Sequence, residues 1–263
     1  MLLMTHRRRA SLLGLAALAV FAVVAGSCSA SRDWRSASSA SVGSAPDPAG
    51  TREAVVQVYG ARTWGWRGYF AVHSWIAVKP TGASAYTVYE VIGWRLRWSD
   101  SAVAIRVREP DARWYGNEPE LLADRRGAGV DELIARIDKA ARAYPYASEY
   151  TAWPGPNSNT FTAWVARAVP ELEVDLPPTA IGKDYLGGRF LSSAPSGSGV
   201  QFSLFGLLGV TASGIEGLEL NLLGLSFGVD PFVPALKLPL VGRIGSARVK
   251  GSAAQEGPAA PAQ

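Results

Sequence analysis

The sequence contains very little cysteine or histidine, with one Cys and two His among 263 residues. Cys28 and His6 lie in an N-terminal leader, so His73 is the single imidazole of the remaining chain. A disulfide framework, a zinc ribbon, a multi-histidine metal site and an internal cysteine nucleophile need more of these residues and are excluded. We therefore expect no metal and no cofactor.

Charge is also scarce, at 18% of residues, and the net charge is +4. Three of the positive charges are Arg7, Arg8 and Arg9, and residues 1–27 contain no acid, so the rest of the chain carries +1. No stripe of Lys or Arg marks a binding face, so we expect no nucleic-acid partner. The hydrophobic fraction, 48%, is typical of a globular protein.

Residues 1–28 have the pattern of an export leader. The arginines at 7–9 precede an apolar run at residues 12–24, which is short for a membrane span but suits a secretory signal. The run ends at Ala25-Gly26-Ser27-Cys28, similar to the box at which bacterial lipoproteins are lipidated. Lipidation at Cys28, cleavage after Ala30 and retention as a membrane anchor are open alternatives. Each predicts an exported body, periplasmic or membrane-anchored.

Three further segments follow the leader. Residues 29–52, rich in Ser, Ala, Gly and Pro, predict a flexible linker. Residues 53–186 predict an α+β domain in which an antiparallel sheet carries two packed helices. Strand patterns cover residues 54–59, 69–78, 85–94 and 102–107, and helical periods cover 129–144 and 160–169.

Residues 187–247 are rich in glycine and contain two similar pieces, at 205–210 and 223–229. They predict a β-hairpin extension that turns near residues 212–214. Glu216 and Glu219 argue against a membrane span, so the hairpin is expected to lie on a membrane or to cover the sheet. Residues 248–263 predict a disordered tail.

His73 lies on a predicted strand, sharing one face with Trp75 and other apolar residues. It is either a general acid or base, because imidazole titrates near neutral pH, or a core histidine with satisfied ring nitrogens. Glu90 lies on the next predicted strand. It, or Tyr89, would orient the imidazole if the two strands pair, and otherwise Glu90 is an edge-strand charge.

The turn at residues 153–161 leads into the second predicted helix. Its polar residues Asn157, Ser158, Asn159 and Thr160 suit plain N-capping. The same helix start would also stabilise an oxyanion, with Ser158 as a nucleophile activated by His73.

Several aromatic and polar residues are candidates for ligand contact. A cleft between His73 and the helix start would be lined by tyrosine and tryptophan. The expected binding set is Trp75, Tyr146, Tyr150, Trp153 and Asn157. Tryptophans such as Trp94 and Trp98 predict core packing or, alternatively, stacking on a glycan strand. Lys183 beside Asp184 predicts a solvated turn, since a phosphate loop would need more glycine.

Four stretches resemble the bacterial domain-of-unknown-function family 3750, over about residues 53–245. The family is uncharacterised, so the resemblance implies no activity. The stretches are Trp64-Gly65-Trp66-Arg67-Gly68, the run from His73 to Lys79, the turn from Trp153 to Phe161, and the run from Pro177 to Asp184.

A looser resemblance concerns the order of elements. An early strand with a histidine and a later helix opened by a polar turn are similar to the circularly permuted NlpC-type papain-like fold. In active members, thiol hydrolases or acyltransferases, a cysteine opens that helix. The resemblance places Ser158 or Asn159 there, His73 as the base and Glu90 as its orienting residue.

Two functions follow as expectations. The first is a non-catalytic relative of papain-like envelope hydrolases that binds glycan, peptide or lipid. The alternative is a Ser/His hydrolase or acyltransferase acting on envelope amide or ester bonds. In both, the partners are a membrane, reached through the leader or a lipid anchor, and a peptidoglycan or lipid ligand. A structural envelope protein that assembles through the hairpin is a third possibility.

Overall fold

A computed structural model describes residues 33–246 of the chain. The chain divides into residues 1–37 and 38–263. The described part of the first unit is a turn in which the Ser36 N–H donates to the Asp33 carbonyl. The second unit is α+β, with two antiparallel sheets and two α-helices among its described residues. The predicted leader with Cys28 and the predicted tail at 248–263 lie outside the described residues.

The first sheet has five strands in the order β4-β3-β2-β1-β5, all antiparallel. The four predicted strands are confirmed, the first with a later end and the other three with shorter spans, and β5 is an addition. The strands are β1 (Val55–Arg62), β2 (Val72–Lys79), β3 (Thr87–Val91), β4 (Val103–Val107) and β5 (Pro119–Arg126).

Both predicted helices are confirmed, as α1 (Val130–Arg142) and α2 (Ser158–Ala168). Acidic residues in the first turn of α1 and basic residues in its last turn match the helix dipole. The apolar stripe of α1 buries Ile137 completely, and burial of such a side chain contributes about 1.5–3 kcal/mol. The buried face of α2 includes Phe161 and Val165.

Alternation along β2 divides the core into two clusters on opposite faces of the sheet. Ile76 lies in the cluster that includes Phe161 and Ile137 from the helices. Trp75 lies in the other cluster, with Tyr59 of β1. Successive side chains of a strand point to opposite faces, so α1 and α2 cover one face of the sheet.

The C-terminal region is a seven-stranded antiparallel sheet in sequential order, from β6 to β12. The hairpin predicted to turn near residues 212–214 is present, with Ser213 opposite Gly217, but the prediction of one hairpin for residues 187–247 is wrong because the region forms seven strands. The glycine-containing pieces are turns between strands, as at Leu223 and Gly224, where φ is 54° and 81°, a geometry that favours glycine. The strands are β6 (Leu191–Ser193), β7 (Gly199–Leu204), β8 (Leu208–Ser213), β9 (Gly217–Leu222), β10 (Leu225–Asp230), β11 (Ala235–Leu238) and β12 (Gly242–Gly245).

In most sheets with one exposed face, the apolar side chains are buried and the polar ones face solvent, and this sheet has the opposite arrangement. Its buried side, the inner face, carries polar side chains such as Gln201, Glu219 and Lys237. Its exposed side, the outer face, carries apolar ones. Lys183 and Asp184 are buried beneath the inner face, so the solvated turn predicted for them is wrong. Their charges are stabilised by polar partners on the sheet, which include Glu219 for Lys183.

The described part of the predicted linker is attached to the domain through Asp111. The Asp111 carboxylate accepts hydrogen bonds from the Ser41 hydroxyl at 2.5 Å, the Ser44 N–H at 2.6 Å and the Ala45 N–H at 3.1 Å. Burial would raise the pKa of Asp111, but these hydrogen bonds outweigh it and lower the pKa. Residues 41–45 therefore have a fixed attachment.

Replacement of Asp111 by asparagine is expected to release this segment. One carboxylate oxygen becomes an NH₂ group that cannot accept the backbone N–H bonds, which costs about 1–3 kcal/mol. Limited proteolysis should then cut residues 38–47 faster than in the wild type. The exposed Asp100→Asn substitution is the control and should leave the cleavage rate unchanged. Equal protection in Asp111→Asn would contradict the attachment.

Candidate functional site

The candidate site is built on the face of the five-stranded sheet that lies away from the helices. His73 of β2 and Glu90 of β3 project from this face, and His73 Nε2 lies 3.0 Å from Glu90 Oε2. Both side chains are buried, with 4% of His73 and none of Glu90 exposed. Of the alternatives left open by the sequence, Glu90 is the residue that contacts the imidazole.

Two arginines form ion pairs with the Glu90 carboxylate. Arg106 Nη2 lies 2.9 Å and Arg108 Nε 3.3 Å from Glu90 Oε1. Burial would raise the pKa of Glu90, but the hydrogen bond and charge of His73 and the charges of Arg108 and Arg106 lower it to about 2. Glu90 is therefore a carboxylate at neutral pH.

The carboxylate fixes the tautomer of His73. Burial lowers the pKa of His73 more than Glu90 raises it, so the imidazole is neutral at pH 7. An ionised carboxylate only accepts hydrogen bonds, so Nε2 carries the proton and donates it to Glu90. Nδ1 is then the unprotonated nitrogen.

An aromatic stack connects the buried imidazole with the surface. The His73 and Trp114 rings are stacked, with centroids 3.7 Å apart and an interplanar angle of 12°. Trp94 stacks on Trp114 at 5.8 Å and 26°, and Tyr115 meets Trp114 edge-on at 5.2 Å. Trp94 is 40% exposed. We call Trp94, Trp114 and Tyr115 the aromatic platform.

Arg108 adds an unsatisfied donor on this face. Its guanidinium lies 5.2 Å from the centre of the Trp75 ring. Within residues 33–246, its Nη2 is buried and has no hydrogen-bond partner. Trp75 itself is fully buried, donates from Nε1 to the Pro110 carbonyl at 2.7 Å and stacks on Tyr59. The expectation that Trp75 contacts a ligand is therefore wrong, because its indole is committed to the core.

The start of α2 lies on the opposite face of the sheet. The side chain of β2 that faces it is Ser74, whose hydroxyl donates to Asn159 Oδ1 at 2.8 Å and lies 2.9 Å from Thr162 Oγ1. His73 and Ser158 are thus not brought together, because neighbouring residues of a strand point to opposite faces. The expectation of one cleft shared by His73, Ser158 and Asn159 does not hold.

The polar turn before α2 acts as a helix cap. Asn157 Oδ1 accepts the N–H groups of Asn159 at 2.9 Å and Thr160 at 3.2 Å, and the Asn157 N–H donates to Thr160 Oγ1. This capping box confirms the N-cap interpretation. The Asn157 amide also donates to the Ala152 and Ile181 carbonyls. Asn157 is therefore occupied by the fold and not directed at a ligand.

The remaining candidates for ligand contact are dispersed. Tyr146 is half-buried between Tyr144 and Tyr185, with both ring centroids 5.6 Å away. Trp153, 52% exposed, donates from Nε1 to the Leu223 carbonyl at 2.8 Å. Tyr150 packs against Gly93, where an added Cβ would overlap its ring.

Trp114 and Arg108 were not found by sequence reasoning. Trp114 lies in an irregular segment, where it pairs with Asn117 and is followed by Tyr115 at a φ of 48°. No periodicity predicts the direction of such a side chain. Arg106 offered a signal, since it lies two residues beyond Ala104, the β4 partner of Glu90, and therefore shares the face of Glu90.

Two searches of residues 33–246 gave negative results. No group of three or more His, Cys, Asp or Glu side chains in this range could hold a metal ion. No helix in the same range is long and apolar enough to cross a membrane.

Comparison with known proteins gives one match. The model of a family described as a protein of unknown function (DUF3750) matches residues 53–185, half of the chain. The chain belongs to this family. The DUF3750 match includes the five-stranded sheet, both helices and the aromatic platform. It ends before β6, so it is shorter than the resemblance expected over residues 53–245. No curated protein and no solved structure matches the chain.

Proposed function

We propose that this DUF3750 protein is an exported, non-catalytic binding module of the bacterial cell envelope, and that the aromatic platform binds a glycan. The observation that carries the proposal is the stack from His73 through Trp114 to the exposed Trp94. An exposed indole face supported from below offers a rigid apolar surface, against which a sugar ring packs its C–H groups.

The charge around the platform favours an acidic glycan. Arg95 and Arg97 lie on the same helical turn as Trp94, and the side chain of Arg106 is half exposed. Guanidinium groups bind carboxylates through charge-assisted hydrogen bonds. A glycan that carries carboxylates, as peptidoglycan does, therefore fits the site better than a neutral one.

The geometry argues against turnover. The papain-like resemblance assigns the place of the catalytic cysteine to Ser158 or Asn159, and the β2 side chain that contacts Asn159 is Ser74 and not His73. A kinship with these hydrolases rests on the order of the elements alone, because the expected pairing of His73 with the start of α2 is not present. The binding proposal does not depend on that kinship. Export is supported by the pattern of residues 1–28 and is independent of the platform.

A binding measurement with soluble peptidoglycan fragments tests the proposal. We expect Trp94→Ala to weaken binding by about tenfold or more, equivalent to a loss of about 1.4 kcal/mol, because it removes the exposed stacking surface. Trp98→Ala is the matched control, since Trp98 is 66% exposed and lies outside the stack. Isothermal titration calorimetry gives the affinities, and mass spectrometry of the fragments checks for turnover. Equal affinity in Trp94→Ala, or cleaved fragments, would contradict the proposal.

A further inference from the structure

The outer face of the C-terminal sheet is an apolar surface exposed to solvent. One cross-strand row runs through Phe202, Val210, Leu220 and Phe227, and each of these side chains is between 38% and 44% exposed. A second row, from Val200 on β7 to Ile244 on β12, repeats the pattern. From β7 to β12, no outward position carries a polar side chain in the described structure.

This surface is too large for an ordinary monomer. From their exposed fractions, the large apolar side chains of the outer face together expose on the order of 1,000 Å², against a few hundred Å² for the largest patch of a typical monomer. Such patches mark a binding surface. The outer face therefore requires an occupant.

The composition of the face favours hydrocarbon over a protein. Protein interfaces, even those of homodimers, include polar side chains and about ten direct hydrogen bonds. The outer face offers no side-chain donor or acceptor from β7 to β12. The charged side chains of these strands, such as Glu219 and Lys237, lie on the inner face and are buried. A surface without charges or polar side chains is complementary to lipid.

The turns at one end of the sheet extend the apolar surface beyond the face. Phe205 is 53%, Leu223 67% and Val241 59% exposed. A second copy stacked face to face would leave these tips in water, whereas a lipid surface would cover them. Trp153 is bonded to the Leu223 carbonyl, and tryptophan is enriched at the boundary between lipid and water.

We propose that the outer face docks on the surface of a lipid bilayer, independently of the glycan site. The edge strands β6 and β12 limit the depth of docking, because the backbone groups of sheet edges are costly in hydrocarbon. The sheet lies on the leaflet with its apolar side chains at the level of the upper acyl chains. The aromatic platform, on the other sheet, remains accessible to glycan.

Fluorescent labels on the full chain test the proposal. Cys28→Ser removes the one native thiol, and Leu220→Cys then places an NBD label on the outer face. Lys139→Cys, on the exposed side of α1, is the matched control. Vesicles of phosphatidylethanolamine and phosphatidylglycerol are added with and without doxyl-labelled lipid. We expect a blue shift and doxyl quenching at position 220 and neither at position 139.

The label reports on its own position, so an anchored leader cannot by itself produce the signal at 220. No response to vesicles at 220 overturns the proposal. A blue shift that grows with protein concentration without lipid also overturns it and assigns the face to a second copy. Unchanged glycan binding in Trp94→Ala would contradict the glycan site and would leave the expected result at position 220 as it is, so the two proposals fail separately.

Discussion

Replacement of Glu219 by glutamine is expected to lower the free energy of unfolding by about 3–5 kcal/mol, because it leaves buried ammonium groups without their shared counter-ion. Glu219 lies between Lys183 and Lys237, and all three side chains are buried. Burial would raise the pKa of Glu219, but the two lysines outweigh it and lower the pKa. The glutamine side chain keeps the shape but loses the charge, and it replaces one of two acceptor oxygens by an NH₂ donor that faces an ammonium group, so both changes contribute to the loss.

Urea denaturation at pH 7 measures this change. Glu118→Gln is the control, since Glu118 forms a surface ion pair with Arg113 and its side chain is 71% exposed. Surface pairs contribute about 0–1 kcal/mol, so this variant should unfold almost as the wild type does. A loss of less than about 1 kcal/mol in the free energy of unfolding of Glu219→Gln would contradict a stabilising role for the buried ion pairs of Glu219 with Lys183 and Lys237.

The second large effect is expected at Glu90. Glu90→Gln should destabilise the protein at neutral pH by about 3 kcal/mol, the size expected when one partner of a buried ion pair is removed. The variant leaves Arg108 and Arg106 without their carboxylate, and its single carbonyl oxygen can replace the acceptor of His73 or that of the arginines but not both. Thermal or urea denaturation of both proteins gives the difference.

The difference in stability between the wild type and Glu90→Gln should decrease as the pH falls. The pKa of Glu90 is lowered by folding, so its contribution is complete above about pH 4.5 and is lost as the pH falls towards about 2. The wild type and Glu90→Gln should therefore converge in stability at acidic pH. His73, whose pKa is also lowered, destabilises both proteins as the pH falls below its ordinary value. A difference that stays constant down to pH 2 would contradict the ion pairing of Glu90.

The first sheet and the helices could be predicted because their local patterns agree with the final packing. Helix α1 combines an apolar stripe with Asp131 and Glu132 in its first turn and Pro145 after its end. Strand β5 gives no such signal, since it is an edge strand with four charged residues, Glu120, Asp124, Arg125 and Arg126. Such an edge strand is stabilised by its hydrogen bonds to the neighbouring strand, and its own sequence shows no clear alternation of apolar and polar residues.

The C-terminal sheet shows what alternation leaves open. Residues 218–222 alternate apolar and polar residues cleanly, which predicts a strand. Alternation cannot say which side is buried. Here the polar side is buried, because Lys183, Asp175 and Asp184 supply partners from the first part of the chain. Those long-range partners are invisible in a local pattern.

The site was predictable only in part for a related reason. His73 and Glu90 could be placed on neighbouring strands, but whether Glu90 or Tyr89 shares the face of His73 depends on the register between β2 and β3, which alternation alone does not set. Which face α2 covers depends on tertiary packing. The difference of one residue, between His73 and Ser74, decides whether the imidazole meets the helix start. The platform residue Trp114 was beyond prediction, since its segment has no regular period.

We propose that ligand binding takes place on the face of His73 and not at the start of α2. A single titration of peptidoglycan fragments against Trp94→Ala and Ser158→Ala tests it most directly, because each substitution changes one face. We expect Ser158→Ala to bind as tightly as the wild type and Trp94→Ala to lose most of its affinity. Loss of binding in Ser158→Ala together with unchanged binding in Trp94→Ala would contradict it.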